Sequence, residues 1–312
     1  MDVSVIVLCY NQEKTISRTL DSILSQRTTC SYSIIIGDDA SKDGTRSICE
    51  KYQKNHPEII RLLDYHENYG VVRNYDVCLK QCSGKYIMEC AGDDWWSNPD
   101  KMQLQFDYME KHQECVLSYS GYVLHYASTG ENIIMEPFVL KKPAFNSIVS
   151  VNNICAPTVC IRKSAMDMIG YSDFVKESLW CEDYPSWLAL SLIGEINALN
   201  KTLVTYTVNS GSLFHVNTFE KRLRAIESDD KTRRYICKRA GILDKYITLL
   251  DDTFLRDKSK ICIKYGNREE ALKSLRSISK KRKIEYLKIL VCSFPCLFKR
   301  YHDKYINSSR GI

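Results

Sequence analysis

Apolar runs and amphipathic stretches alternate from the start of the chain. Residues 3–9, VSVIVLC, form an unbroken run rich in β-branched side chains and predict a buried strand. In residues 11–26, Ile16, Leu20, Ile23 and Leu24 recur at helical spacing. A second apolar strand falls at 31–39, and SKDGT at 41–45 supplies turn chemistry. The alternation continues with a helix over 45–55, a strand over 59–64, a helix over 71–82 and a strand over 85–92. A helix over 98–112 follows, with Pro99 in its first turn and Met102, Phe106 and Met109 on one face. Residues 115–170 read as strands and loops. Residues 172–194 predict a loop, the acidic pair Glu182–Asp183, and a helix carrying Trp187, Leu188 and Leu192. LVTYTV at 203–208 predicts a strand, and from Thr218 onward the pattern is helical and basic.

Strands that alternate with helices imply right-handed βαβ units, an α/β fold and a mostly parallel, Rossmann-like sheet flanked by helices. Ligands of such sheets bind beyond the carboxyl ends of the strands. Asp38–Asp39 and Asp93–Asp94 both fall at predicted strand ends. Either pair alone fits a solvated turn or a helix cap equally well. Their joint placement favours a nucleotide site. Adjacent carboxylates repel, and a hard divalent cation, Mg²⁺ or Mn²⁺, relieves that repulsion. Such a cation would also neutralise a departing diphosphate.

Of the 312 residues, 44% are hydrophobic and 26% charged, an ordinary globular balance. The net charge of +6 conceals a division: residues 1–216 carry 19 Lys and Arg against 26 Asp and Glu, whereas residues 217–312 carry 25 against 12. This predicts two modules, an acidic body over 1–216 and a helical basic region over 217–312. The 14 cysteines lie in apolar stretches without any C-x-x-C pair, which predicts reduced, buried thiols and excludes a zinc-ribbon reading. Neither a signal peptide nor an apolar run long enough to span a bilayer is visible, so the expected location is cytoplasmic, soluble or peripheral at the inner membrane face.

Five segments carry a resemblance: VSVIVLCYNQEKTISRTLDSILSQ (3–26), IIIGDDASKDGT (34–45), ENYGVVRN (67–74), GKYIMECAGDDWWSNPDKMQLQ (84–105) and CEDYPSWLALSL (181–192). In this order and spacing they resemble the successive motifs of family-2 glycosyltransferases with a GT-A fold, over about the first 215 residues. The resemblance implies a metal-dependent, inverting transferase that takes a sugar from a nucleotide-diphosphate donor, a UDP-sugar. The acceptor would be a glycan or lipid-linked glycan in surface polysaccharide synthesis. It implies that Tyr10 lines the base pocket, that Asp39 contacts the base with Asp38 nearby, and that Arg73 lies close to the donor. Asp93 would face the ribose or donor sugar, Asp94 would hold the metal, and Asp183 of the Glu182–Asp183 pair would be the catalytic base. Trp95, Trp96 and Trp180 fit sugar stacking and buried core equally well. One base and one displacement give inversion, and no second carboxylate is assigned as a nucleophile.

Two departures bear on the metal. Ala91 occupies the first position of the D-x-D triplet that many relatives carry. Asn209 stands where a histidine ligand is often found, leaving His215 as the candidate; an ordinary surface or capping histidine is the even alternative. His66, His112 and His125 read as ordinary surface residues.

Between 280 and 305, Ile284, Leu287, Ile289, Leu290 and Val291 sit among Lys280–Lys283, Lys288, Lys299 and Arg300. A segment of this kind fits an anionic membrane surface. A helical subdomain with a solvated basic face is the other reading, favoured for 218–275. Base-reading motifs are absent, so nucleic acid is not expected as a partner. Two rival functions stand beside the transferase. A sugar nucleotidyltransferase would usually carry a Gly-rich basic loop where this chain has CYNQEKT. A non-catalytic glycan- or lipid-binding protein on the same fold draws on Ala91 and Asn209.

Overall fold

A computed structural model describes residues 1–209 and 218–309, with side chains as far as Lys304. The chain divides into two compact units, 1–212 and 213–312. The expected boundary at 216/217 lies outside the described residues.

Unit 1 is built on one eight-stranded mixed sheet. The strands are β1 (Val3–Cys9), β2 (Tyr32–Asp38), β3 (Ile60–Leu62), β4 (Tyr86–Ala91), β5 (Cys115–Tyr126), β6 (Asn132–Met135), β7 (Cys160–Arg162) and β8 (Glu195–Val208). Their order is β3-β2-β1-β4-β7-β5-β6, with β8 pairing β5. The pairs β1–β2, β1–β4, β2–β3 and β5–β8 are parallel, while β7 and β6 enter antiparallel. The expected α/β, mostly parallel sheet is therefore present. β1 is the central strand of the parallel part, buried on both faces, and for that reason its sequence is an unbroken apolar run.

Helices α1 (Ile16–Leu24), α2 (Thr45–Asn55), α3 (Val71–Leu79) and α4 (Lys101–Lys111) are the crossovers of the first half. Ile16, Leu20 and Ile23 of α1 are fully buried against Val5, Val7 and their neighbours in the core. Four short helices complete the unit: α5 (Ala144–Ile148), α6 (Lys163–Ile169), α7 (Ser172–Lys176) and α8 (Tyr184–Leu190). Two expectations need correction. α1 begins at Ile16 rather than Asn11, because Asn11 adopts a left-handed φ of 53° that a helix does not accept. The last strand starts at Glu195, eight residues before its apolar run, because its first half follows β5 through two irregular steps in register.

Unit 2 is helical, with α9 (Phe219–Arg239), α10 (Leu243–Lys264), α11 (Arg268–Ser277), α12 (Lys283–Ser293) and α13 (Pro295–Ser309). Its core contains Cys262, Ile263, Ala271, Leu275, Ile278, Cys292 and Phe298. All 14 cysteines are free; twelve are buried, and only Cys296 is exposed. No helix among the described residues is long and apolar enough to cross a membrane.

Candidate active site

The register of the parallel strands brings both acidic pairs to one edge. Cys9 at the end of β1 pairs with Asp38, and Leu8 pairs with Ala91. The segments after β1, β2 and β4 therefore leave the sheet side by side. The loop after β1 is laced to the turn after β2: Lys42 N donates to Asn11 Oδ1 at 2.7 Å, Gln12 N to Thr45 Oγ1 at 2.7 Å, and Gly44 N to Glu13 Oε2 at 2.7 Å. The descent of β4 past β1 requires glycine at 92, since a Cβ there would lie 2.8 Å from Cys9 Cβ, which has no freedom to move aside.

Asp93 and Asp94 are held from two sides. From α1 and the residue before it, Thr15 Oγ1 donates to Gly92 O at 2.8 Å, Arg18 to Asp93 O at 3.0 Å, and Thr19 Oγ1 to Asp94 O at 2.6 Å. Positions 15, 18 and 19 share one face at helical spacing. From β8, Thr207 Oγ1 donates to Asp93 O at 2.6 Å and Thr207 N to Asp94 Oδ1 at 2.7 Å. Trp95 exchanges backbone hydrogen bonds with Thr205, and Asn98 N donates to Leu203 O. Asn209 Nδ2 donates to Asp93 Oδ2 at 2.9 Å.

The second oxygen of Asp94, Oδ2, is buried and accepts no hydrogen bond from the described residues. Burial, then the neighbouring Asp93, drives the Asp94 carboxyl well above the carboxylate range. Burial also raises Asp93, opposed by its bond from Asn209. A buried carboxylate oxygen without a donor costs free energy that a cation or a proton relieves. No group of three His, Cys, Asp or Glu side chains that could hold a metal occurs among the described residues. The donor set therefore fits a hard cation only if the rest of its shell comes from phosphate oxygens and water, as is usual for Mg²⁺. His215 lies outside the described residues.

Asp38 and Asp39 have clear local tasks. The Asp38 carboxylate accepts from the Ser41 hydroxyl. The two oxygens of Asp39 accept from Tyr69 N at 2.6 Å and Gly70 N at 2.9 Å, which fixes the loop leading into α3. Gly70 has φ 76°, a conformation that favours glycine. Arg73, exposed in the first turn of α3, stacks its guanidinium 4.0 Å from the centre of the Tyr69 ring. Tyr10 stands exposed after β1.

The other acidic pair sits at the start of α8. Asp183 caps the helix by accepting from Tyr184 N. Burial raises both Glu182 and Asp183; the neighbouring Asp183 adds to the rise of Glu182, which reaches about 8, while hydrogen bonding opposes that of Asp183. The pair titrates as a unit. Burial raises the thiol of Cys155, a half-buried residue, and the charges of Asp94 and Asp183 add to the rise.

The three tryptophans separate. Trp96 is 3% exposed in the hydrophobic core, with Lys101 Nζ 4.2 Å above its ring; the sugar-stacking expectation for it is withdrawn. It turns inward because the strand bridge at Trp95 places successive side chains on opposite faces. Trp95 is partly exposed beneath the Arg18 guanidinium at 3.6 Å, and Trp180 is exposed.

Sequence reasoning missed Thr15, Arg18, Thr19 and Thr207, and it also missed Glu89 and Lys101. Glu89 lies on the same face of β4 as Ala91, buried, accepting from the Tyr75 phenol. Burial pushes Glu89 up to about 8, with Glu182 and Asp183 adding to the rise. Burial pushes the Lys101 ammonium down to about 8. The available signal was a charged residue inside an apolar strand and another inside an apolar helix face.

The Glycosyl transferase family 2 sequence model matches residues 4–163, more than half of the chain. An uncharacterised protein of Mycobacterium tuberculosis (strain ATCC 25618 / H37Rv) is 26% identical over 221 residues, 70% of this chain and 62% of that protein; the chain thus spans about six tenths of that relative's length. The Escherichia coli UDP-Glc:alpha-D-GlcNAc-diphosphoundecaprenol beta-1,3-glucosyltransferase WfaP is 30% identical over 226 residues, 71% of this chain and 83% of WfaP. Among solved structures, S. aureus TarS 1-349 in complex with UDP-GlcNAc superposes with a TM-score of 0.54 at 16% identity, covering 97% of this chain and 92% of that one. The mannosyltransferase PcManGT from Pyrobaculum calidifontis, in complex with GDP-Man and Mn²⁺, gives 0.58 at 13% identity, covering 96% and 86%. At these identities the structures establish the GT-A fold alone. Matched by the family model over that span, with its acidic pairs at the carboxyl edge of the sheet, the chain belongs to the glycosyl transferase family 2.

Proposed function

We propose that this protein is an inverting glycosyltransferase. It moves a sugar from a nucleotide-diphosphate donor, a UDP-sugar, onto a lipid-linked glycan during surface polysaccharide synthesis. The observation that carries the reading is Asp94 Oδ2: a buried carboxylate oxygen without a donor, beside Asp93, at the carboxyl edge of a parallel sheet. A fold does not keep such an oxygen for stability. The named activity of WfaP, glucosyl transfer to a diphosphoundecaprenol-linked acceptor, supports the acceptor class.

In this reading Tyr10, Arg73 and the loop fixed by Asp39 form the nucleotide side of the site. Asp93, oriented by Asn209, faces the ribose or donor sugar. Asp94 would hold Mg²⁺ or Mn²⁺ shared with the diphosphate, and that cation would neutralise the leaving group. Asp183, with Glu182 beside it, takes the proton of the acceptor hydroxyl as its oxygen attacks the anomeric carbon. The nucleoside diphosphate leaves from the opposite face as its bond to the anomeric carbon breaks, so a single displacement inverts the centre. Trp95 and Trp180 line the acceptor side, where a partly exposed indole stacks on a sugar face.

The test is a panel of nucleotide sugars offered with a diphospho-lipid acceptor, with and without a chelator, and product stereochemistry read by NMR. Retained anomeric configuration, or full turnover by both Asp94→Ala and Asp183→Asn, would overturn the proposal.

A further inference from the structure

Helix α12 is apolar on two faces. Its inward face is fixed. Glu285 is buried, with Arg256 of α10 donating to it at 3.3 Å, and Arg268 of α11 donates to Cys292 O at 3.0 Å. Ile289 and Cys292 pack into the core of unit 2. With that face turned inward, the helical repeat sends Ile284, Leu287, Leu290 and Val291 outward. Ile284, Leu287 and Leu290 are 49, 58 and 54% exposed, and the stripe continues through Phe294 at 53% and Leu297 at 44%. A soluble helix needs one apolar stripe, and the second has no use in water.

The charge around the stripe is of one sign. Residues 280–300 hold seven Lys and Arg, and their single carboxylate, Glu285, is buried and paired with Arg256. Arg282 and Lys283 at one end, and Lys299 and Arg300 at the other, are exposed. An apolar strip bordered at both ends by cations, with no exposed anion between them, complements anionic headgroups over acyl chains.

We propose that the outward face of α12 and the first turn of α13 form a docking surface for an anionic lipid bilayer. The side chains of Ile284, Leu287, Leu290, Phe294 and Leu297 enter the interface, and the flanking cations meet the headgroup phosphates. This goes beyond the transfer reaction and does not depend on it, since vesicles without any acceptor suffice to test it.

The experiment is flotation of the full chain with vesicles of phosphatidylcholine alone and of phosphatidylcholine mixed with phosphatidylglycerol. Binding to the anionic vesicles, weakened by salt, is expected. Leu287→Ser with Leu290→Ser should lower the partition coefficient by at least about tenfold, given the apolar area removed. Lys299→Glu with Arg300→Glu should lower it on anionic vesicles and weaken its salt dependence, which the cations at the other end sustain in part. All four positions are exposed, so the variants should keep the parent's circular dichroism and melting. No binding of the parent chain to anionic vesicles would overturn the proposal. So would binding insensitive to the leucine pair, or a self-association lost in that variant without any vesicle binding, which would assign the stripe to a second copy of the chain.

Discussion

Asn209 Nδ2 donates a 2.9 Å hydrogen bond to Asp93 Oδ2, tying the residue just beyond β8 to the acidic pair after β4. Where a metal ligand was sought in the sequence, the structure places a donor. It orients one carboxylate and lowers its proton affinity against the opposing effect of burial.

Asn209→Ala should therefore act on donor binding. A hydrogen bond to a charged group contributes about 1.5–3 kcal/mol, so donor KM should rise about tenfold or more, with a smaller change in kcat. Initial rates against nucleotide-sugar concentration check this. An unchanged KM would mean that Asp93 does not touch the donor.

Asp94→Asn keeps the shape of the side chain and the bond from Thr207 N, but removes an acid whose ionised form burial and Asp93 penalise and whose second oxygen lacks a donor. Turnover should fall by orders of magnitude while the ligand-free protein becomes more stable, by about 1–3 kcal/mol at pH 8. Thermal melting without nucleotide or metal reads this directly, and a lower melting temperature would contradict it.

Glu89 gives a pH dependence of stability. Its proton affinity rises from the usual 4.5 to about 8 on folding, first through burial. A group raised in this way contributes stability that is present below the unfolded pKa and lost as pH climbs through the folded one. The parent should weaken between about pH 5 and pH 8 relative to Glu89→Gln, and the gap should widen by on the order of 3 kcal/mol. Denaturant melts of both proteins at pH 5 and 8.5 supply the comparison. A constant difference would mean that Glu89 titrates normally.

With Asp183 as the proposed base, the Glu182–Asp183 pair should set the pH profile of the reaction. Burial raises both carboxyls, and with the repulsion of Asp183 it holds a proton on Glu182 up to about 8. Because the base acts deprotonated, kcat/KM should rise with pH along a limb lying near neutrality rather than near pH 4. Asp183→Asn should cost about 10²–10⁴-fold in kcat. A flat profile from pH 5 to 8 would argue against this base.

The first half of the sheet was legible because its strands are buried on both faces and so read as apolar runs, ending in acids that have no place in a core. Trp96 was misleading because it follows Trp95 in sequence yet faces the opposite way. The first half of β8 was hidden by its mixed composition, EINALNKT, whose two buried residues, Ile196 and Leu199, stand three apart among half-buried and exposed positions rather than alternating. Thr15, Arg18, Thr19 and Thr207 act through backbone carbonyls or their own amide. Such contacts leave no mark in residue chemistry, since any short hydroxyl looks alike until the chain folds. α5–α7 are too short, at five to seven residues, to show a period.

The strap of β8 across the acidic pair has a consequence for a nascent chain. Asp94 and Thr207 are 113 residues apart. A polypeptide that has emerged only as far as residue 163, where the family match ends, already holds every strand of the parallel β1–β4 half and both aspartates. It does not yet hold the amide, hydroxyl and carboxamide that aim them. Synthesis adds about 5–20 residues per second, so the diacid waits seconds for its holder. A protease that nicks the chain within β8 and frees this strap would leave both aspartates in the chain but no longer aimed.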